Sequence, residues 1–166
     1  CNNLEKVYNC SSLTLAKGSS DYGYVAYYAT SVYNKCQLEG DYVITYANEN
    51  QYVCGYVGQE TELTLPETYG ISENAFSDCT GLTSIEIPNS VTSIGSYAFY
   101  GCTGLTSIVI PSSLTSIGNS AFYNCNNLKK VYNSSSLTLT KGSSSNGYVA
   151  YYVTAVYNNC QKVGDY

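Results

Sequence analysis

The stretch Cys79-Thr-Gly-Leu-Thr-Ser-Ile-Glu-Ile-Pro88 returns 23 residues later as Cys102-Thr-Gly-Leu-Thr-Ser-Ile-Val-Ile-Pro111, and begins a third time as Cys125-Asn-Asn-Leu-Lys-Lys-Val131. Columns run in step with it through Phe76, Phe99 and Phe122, through Leu82, Leu105 and Leu128, and through Ile85, Ile108 and Val131. Ile71, Ile94 and Ile117 form a further column beside Ala75, Ala98 and Ala121. One such turn carries too few apolar groups to make a core alone. Its Leu, Ile and Phe must be buried against the same positions one coil above and below.

Within a coil, Leu82, Ile85 and Ile87 alternate with polar residues across Ser84 and Glu86, the period of a half-buried strand. Pro88 and Pro111 end that strand by removing a backbone donor. Gly95 and Gly118 are read as the tight corner ahead of the Ala-Phe segment.

A longer period encloses the short one. Cys1 to Tyr42 aligns with Cys125 to Tyr166 without a gap at an offset of 124, with 32 identities and 10 differences, so the chain reads as a window on a tandem array. From Ser11 to Tyr42 the 23-residue pattern is absent. There Val25, Tyr28, Ala29 and Val32 fall at i, i+3, i+4 and i+7, as do their copies Val149, Tyr152, Val153 and Val156. That spacing predicts a short helix from about Gly23 to Tyr33, N-capped by Ser20 or Asp21. Tyr24 and Tyr27, with copies Tyr148 and Tyr151, lie on the helix's other face, either exposed as anchors for a glycan or protein or packed on the neighbouring hairpin. The runs Asp41 to Ala47 and Gln51 to Val57, separated by Asn48-Glu49-Asn50, predict that β-hairpin, capping the first coil of the next block.

The segments Leu105-Thr-Ser-Ile-Val-Ile-Pro111, Ser90-Val-Thr-Ser-Ile-Gly95 and Ala98-Phe-Tyr-Gly-Cys102 together resemble the BspA-like leucine-rich repeat family, over about residues 60–133 plus the opening fragment Cys1 to Asn9. The fold expected is mainly β with short helices: leucine-rich-repeat solenoid blocks joined by a helix and β-hairpin segment. The divisions read are 1–10 as the end of a preceding solenoid block, 11–40 as a helical junction, 41–58 as the hairpin, 59–133 as solenoid, and 134–166 as the second copy of the junction and the start of the next hairpin. The resemblance implies an extracellular or cell-surface location, no enzymatic activity, and adhesion to a host or neighbouring-cell protein or glycan. High identity between copies keeps a stalk or self-assembling fibre, with further copies of the chain as partner, open beside it.

Composition agrees with a non-catalytic reading. The chain has no His, Trp or Met, no Arg among its 7 basic residues, and 20 Tyr against 3 Phe. Without His, acid/base chemistry at neutral pH needs a strongly shifted group, and Glu60, Glu62 and Glu67 read as solvated surface rather than a carboxylate pair. A net charge of −5 without Arg excludes an electrostatic grip on nucleic acid. No apolar run reaches the length of a membrane span, and no cofactor or metal is expected: there is neither His nor a Cys-x-x-Cys pair.

Three groups of residues are candidates for function. The polar strand positions Thr83, Ser84 and Glu86, with Thr106, Ser107 and Val109 one coil on, form the expected binding face. Asn9 and Asn133 begin Asn-x-Ser triplets, which are glycan acceptors in a eukaryotic secretory pathway and equally the polar residues of turns. Cys79, Cys102 and Cys125 read as small buried thiols. Cys36 recurs as Cys160 whereas Cys10 becomes Ser134, which pairs Cys36 with Cys54 and leaves Cys160 to a partner beyond Tyr166 or on another chain.

Overall fold

The computed structural model describes residues 35–160, together with the backbone of two short strands, Lys6–Asn9 (β1) and Ser31–Asn34 (β2). Gln37–Glu39 (β3), Tyr42–Ala47 (β4) and Asn50–Tyr56 (β5) form an antiparallel meander. Its tight turn holds Asn48 and Glu49 at φ of 49° and 65°, the left-handed pair that a two-residue hairpin loop demands.

From there each coil lays down strands on two sides of the molecule: Glu62–Thr64 (β6) and Gly70–Ile71 (β7), Ser84–Glu86 (β8) and Ser93–Ile94 (β9), Ser107–Ile110 (β10) and Ser116–Ile117 (β11). Lys130–Asn133 (β12) and Ala155–Asn158 (β13) complete the described residues. One side is a six-stranded sheet in the order β11-β9-β7-β5-β4-β3, so the hairpin continues the ladder of short strands through the parallel pair β5 and β7. The other side holds β6-β8 and β10-β12-β13, with the Thr106 N–H donating to the Thr83 carbonyl between them.

Parallel register places like residues on like. Ile71, Ile94 and Ile117 are cross-strand partners, and so are Ile108, Val131 and Val156. Between the two sides the rings of Phe76, Phe99 and Phe122 stack with centroids 5.2 and 5.0 Å apart, all fully buried. Each contributes roughly 1.5–3 kcal/mol by leaving water, and Phe76 and Phe122 cover the two faces of Phe99 from the coils on either side. Tyr56 of the hairpin closes the stack over Phe76 at 6.5 Å. The turns carry a ladder of their own: the N–H groups of Phe76, Phe99 and Phe122 donate to the carbonyls of Ala98, Ala121 and Gly147 at 2.7–2.8 Å.

One expectation is sharpened and one corrected. Gly95 and Gly118 do open the turns ahead of the Ala-Phe segment, their carbonyls accepting from the N–H groups of Ala98 and Ala121 at 3.4 Å. A Cβ on Gly95 would lie 2.5 Å from the backbone nitrogen of Glu73, and one on Gly118 would collide with Ser96, so glycine is required by the backbone of the preceding coil. The predicted helix is absent where its second copy is described. Asn146–Tyr148 is a single 3-10 turn with φ of 51°, 63° and 66°, and Ala155–Asn158 is a strand. Three successive left-handed residues cannot continue an α-helix, while Val156-Tyr-Asn158 repeats Val131-Tyr-Asn133 and pairs with it in register. Val149 and Val153 are buried and Val156 half-buried, so their apolar spacing reports a further coil of the solenoid rather than a helix face. In the first copy, Ser31–Asn34 is likewise a strand, and the rest of the predicted helix lies outside the described residues.

Candidate functional site

An open groove of about 1050 Å³ runs over the side built from β6, β8, β10 and β12, lined by Glu62, Thr64, Ser84, Glu86, Ser107, Val109 and Tyr132 among others. It exists because alternate strand residues face inward, as Leu63, Ile85, Ile108 and Val131 do, and their neighbours must then face water. Register strings Thr64 to Glu86, and Val109 to Tyr132 and Tyr157, into one outward row. The row changes character along its length, from exposed Thr64 and Glu86 to Val109, 46 % exposed, and the stacked pair Tyr132 and Tyr157, whose centroids are 5.0 Å apart at 11°.

Of the residues read as a binding face, Ser84, Glu86, Ser107 and Val109 line this groove. Thr106 is exposed beside them, and Thr83 is half-buried with its hydroxyl donating to the Thr61 carbonyl at 3.0 Å. Tyr132 and Tyr157 were missed, although the Val-Tyr-Asn triplet at 7, 32, 131 and 156 was the signal for them. Tyr148 and Tyr151 meet edge-on at 5.2 Å, with Tyr151 45 % exposed, while Tyr24 and Tyr27 lie outside the described residues. Glu60, Glu62 and Glu67 are all exposed.

Asn133 is not an available glycan acceptor. It is 1 % exposed; its amide N–H groups donate to the Leu137 carbonyl and to Oδ1 of Asn158, both at 2.8 Å, and its Oδ1 accepts from the N–H and hydroxyl of Ser135. A residue whose amide is fully engaged in the interior holds the strand's end in place. Asn9 and Asn34 occupy the matching register positions on β1 and β2, where only the backbone is described.

Of the six described thiols four are buried and fall in two sets, while Cys79, expected to be buried, and Cys160 are half-buried. Cys102 and Cys125 are buried and donate to the carbonyls of Phe76 and Phe99, at 3.1 and 3.0 Å. Burial pushes the Cys125 pKa up to about 12, against a smaller opposing hydrogen-bond contribution from the Cys102 backbone, so it stays a neutral, unreactive thiol. Cys36 and Cys54, both buried, bring their sulfurs to 3.8 Å across the β3–β5 meander. Burial, then the neighbouring Tyr56 and Asp41, raise the pKa of Tyr42, whose hydroxyl donates to the Thr64 carbonyl at 2.9 Å. Among the described residues no cluster of His, Cys, Asp or Glu fits a metal ion, and no helix is long and apolar enough to cross a membrane.

The model of the BspA type leucine rich repeat region matches residues 48–166 in six copies. The chain belongs to this family. The matched region extends past Asn133 over the segment that holds β13. Among solved structures, a leucine-rich cell surface protein from Faecalibacterium prausnitzii is 25 % identical with a TM-score of 0.55, over 74 % of this chain and 42 % of that one. A leucine-rich repeat protein from Bacteroides capillosus shares the fold at 22 % identity and a TM-score of 0.60, over 74 % of this chain and 97 % of that one. One from Eubacterium ventriosum is 26 % identical with a TM-score of 0.50, over 79 % and 36 %. The chain thus spans about two fifths of the length of the Faecalibacterium protein. No curated protein matches the sequence.

Proposed function

We propose that this BspA-type chain is a non-enzymatic, extracellular or cell-surface adhesion protein, and that its strand-face groove docks a protein of a host or neighbouring cell. The observation that carries the reading is the outward row Val109, Tyr132 and Tyr157: an apolar and aromatic patch bordered by Glu86 and by small hydroxyl residues, the make-up of an interface centre with a polar rim. The likeness to a leucine-rich cell surface protein of Faecalibacterium prausnitzii supports the location. The absence of His and Arg from the sequence argues against catalysis.

One patch of this size gives a weak contact, so avidity along an array supplies the strength. Beads coated with the chain are expected to adhere to cultured cells in a way that mild protease treatment of the cells abolishes. Replacing Val109 and Tyr157 by Ser should remove that adhesion, and joining two units in tandem should raise apparent affinity by about 10²-fold or more. Adhesion that survives both substitutions rejects the groove.

A stalk is the second reading, favoured by one observation. The pairs β1–β2 and β12–β13 repeat the same register, Val7 to Val32 and Val131 to Val156, as a spacer of constant geometry requires. Particle length in negative stain that grows linearly with unit number tests it.

A further inference from the structure

Away from the strand face, three successive coils carry an unbroken run of tyrosines. Tyr97 meets Tyr100 at 5.9 Å and 61°, Tyr100 lies alongside Tyr123 of the next coil at 5.8 Å and 21°, and Tyr123 meets Tyr148 of the coil after at 5.1 Å and 84°. Tyr148 continues to Tyr151, and Tyr151 to Tyr152, at 5.2 and 4.9 Å. Every step but one is edge-to-face, a contact that covers one face of one ring and leaves the rest open. Tyr97, Tyr123 and Tyr151 are 41, 40 and 45 % exposed.

Folding alone does not account for this strip. Tyr97 sits at φ 57°, a left-handed position that Asn74 and Ser120 occupy in the coils before and after it. A bulky side chain there costs about 1–2 kcal/mol of steric strain, and Tyr97 still leaves 41 % of its surface in water. The strip itself is uncharged: no Asp, Glu, Lys or Arg occurs from Ile87 to Leu128 or from Gly142 to Cys160, and Lys141, beside the Gly142 whose N–H donates to the Ala150 carbonyl, borders the Tyr151 end. Asp78, whose N–H donates to the Tyr100 carbonyl, borders one end of the strip. Its flanks are amides and hydroxyls, with Asn119 and Ser120 bonded through their carbonyls to the N–H groups of Tyr97 and Tyr123, and Asn124 next in the chain.

We propose that this tyrosine strip binds a neutral polysaccharide. The C–H faces of successive sugar rings would lie on the tyrosines, and sugar hydroxyls would meet the flanking Asn and Ser side chains. A linear, periodic and uncharged polymer matches a linear, periodic and uncharged surface. An acidic polymer finds no cation on the strip and a net charge of −5 behind it. Tyr24, Tyr27 and Tyr28 repeat Tyr148, Tyr151 and Tyr152 in the sequence, so each 124-residue period carries the same triplet.

The test is affinity electrophoresis of the folded chain through gels containing a β-glucan, a mannan, an α-glucan or, as acidic control, pectin. Tyrosine emission serves as the solution readout, undisturbed because the chain has no Trp. Retardation by at least one neutral polymer, unchanged at high salt, is expected. Tyr123→Ala should weaken it about tenfold, while Tyr123→Phe keeps it. Tyr157→Ser, on the strand face, should leave it intact, which separates this surface from protein docking in the groove. No retardation by any neutral polymer, retardation by pectin alone, or equal retardation of Tyr123→Ala overturns the proposal. So does light scattering that shows the strip pairing two copies of the chain without glycan binding.

Discussion

The coils from residue 60 to 133 and the segment from 134 to 160 reach the same architecture by different means. In the first, identical side chains stack at a spacing of 23: Phe on Phe, Ala on Ala, Ile on Ile. In the second the Phe is gone and the spacing from Val131 to Val156 is 25, yet β13 still pairs with β12, and Gly147 still accepts the turn hydrogen bond that Ala98 and Ala121 accept earlier. What persists is the backbone ladder, which depends on register and not on side-chain identity. What changes is the filling, with Val149 and Val153 in place of an aromatic and the Asn133–Asn158 bridge pinning the strand ends.

That contrast is open to breakage. The largest effect should come from Phe99→Ala, which empties the middle of the aromatic stack and is expected to cost about 3–5 kcal/mol in denaturant unfolding. Val153→Ala, in the divergent coil, should cost less, since fewer methyl groups leave a smaller cavity. A loss at Val153 equal to that at Phe99 would mean that the divergent coil loses more per carbon removed and is the more tightly packed of the two.

Next comes the Cys36 and Cys54 pair. Under mild oxidation with oxidised glutathione, intact mass should fall by two hydrogens, and the cystine should raise stability by about 3 kcal/mol, the scale for closing a loop of this size. An unreduced mass with all eight thiols intact rejects the pairing.

Glycine then separates crowding from backbone conformation. Gly95→Ala forces a methyl onto Glu73 and should destabilise by about 1–3 kcal/mol. Gly142→Ala meets open space at φ 78° and should lose only about 1–2 kcal/mol of steric strain. A loss at Gly142 larger than at Gly95 would reverse the assignment of cause.

The smallest effect is in alkali. Burial raises the Cys125 pKa from an ordinary 9.0 to about 12 on folding. The unfolded state therefore loses its proton first, and the stability contributed is whole below pH 9 and drains away as pH rises toward 12. By pH 10 about 1.4 kcal/mol should be gone. Cys125→Ala should flatten the fall of Tm over that window, even if its Tm at neutral pH is lower. An unchanged slope would place the alkaline sensitivity in the tyrosines, two of which, Tyr42 and Tyr152, have pKa values raised mainly by burial.

Legibility in the sequence followed the kind of interaction involved. The strand with Leu82, Ile85 and Ile87, the Phe column and the Asn48-Glu49 hairpin could all be read, because alternation, repetition and turn chemistry are local or strictly periodic. The binding face was half readable. Ser84, Glu86, Ser107 and Val109 follow from alternation, whereas the place of Tyr157 depends on β13, a strand that the helix-like spacing of Val149, Tyr152, Val153 and Val156 conceals. Spacings of three and four also occur in the tight turns of a solenoid coil, and only the partner strand distinguishes the two.

The sequence by itself determined that this chain is a repeat protein whose coils cannot stand alone, since no single coil holds enough apolar surface to offset the entropy of ordering it. Tertiary structure alone decided that the divergent segment is one more rung, that Asn133 is an interior clamp, and that tyrosines from three coils form one strip. Those outcomes depend on which residue of one coil lies over which residue of the next, a register fixed by the backbone hydrogen bonds between them.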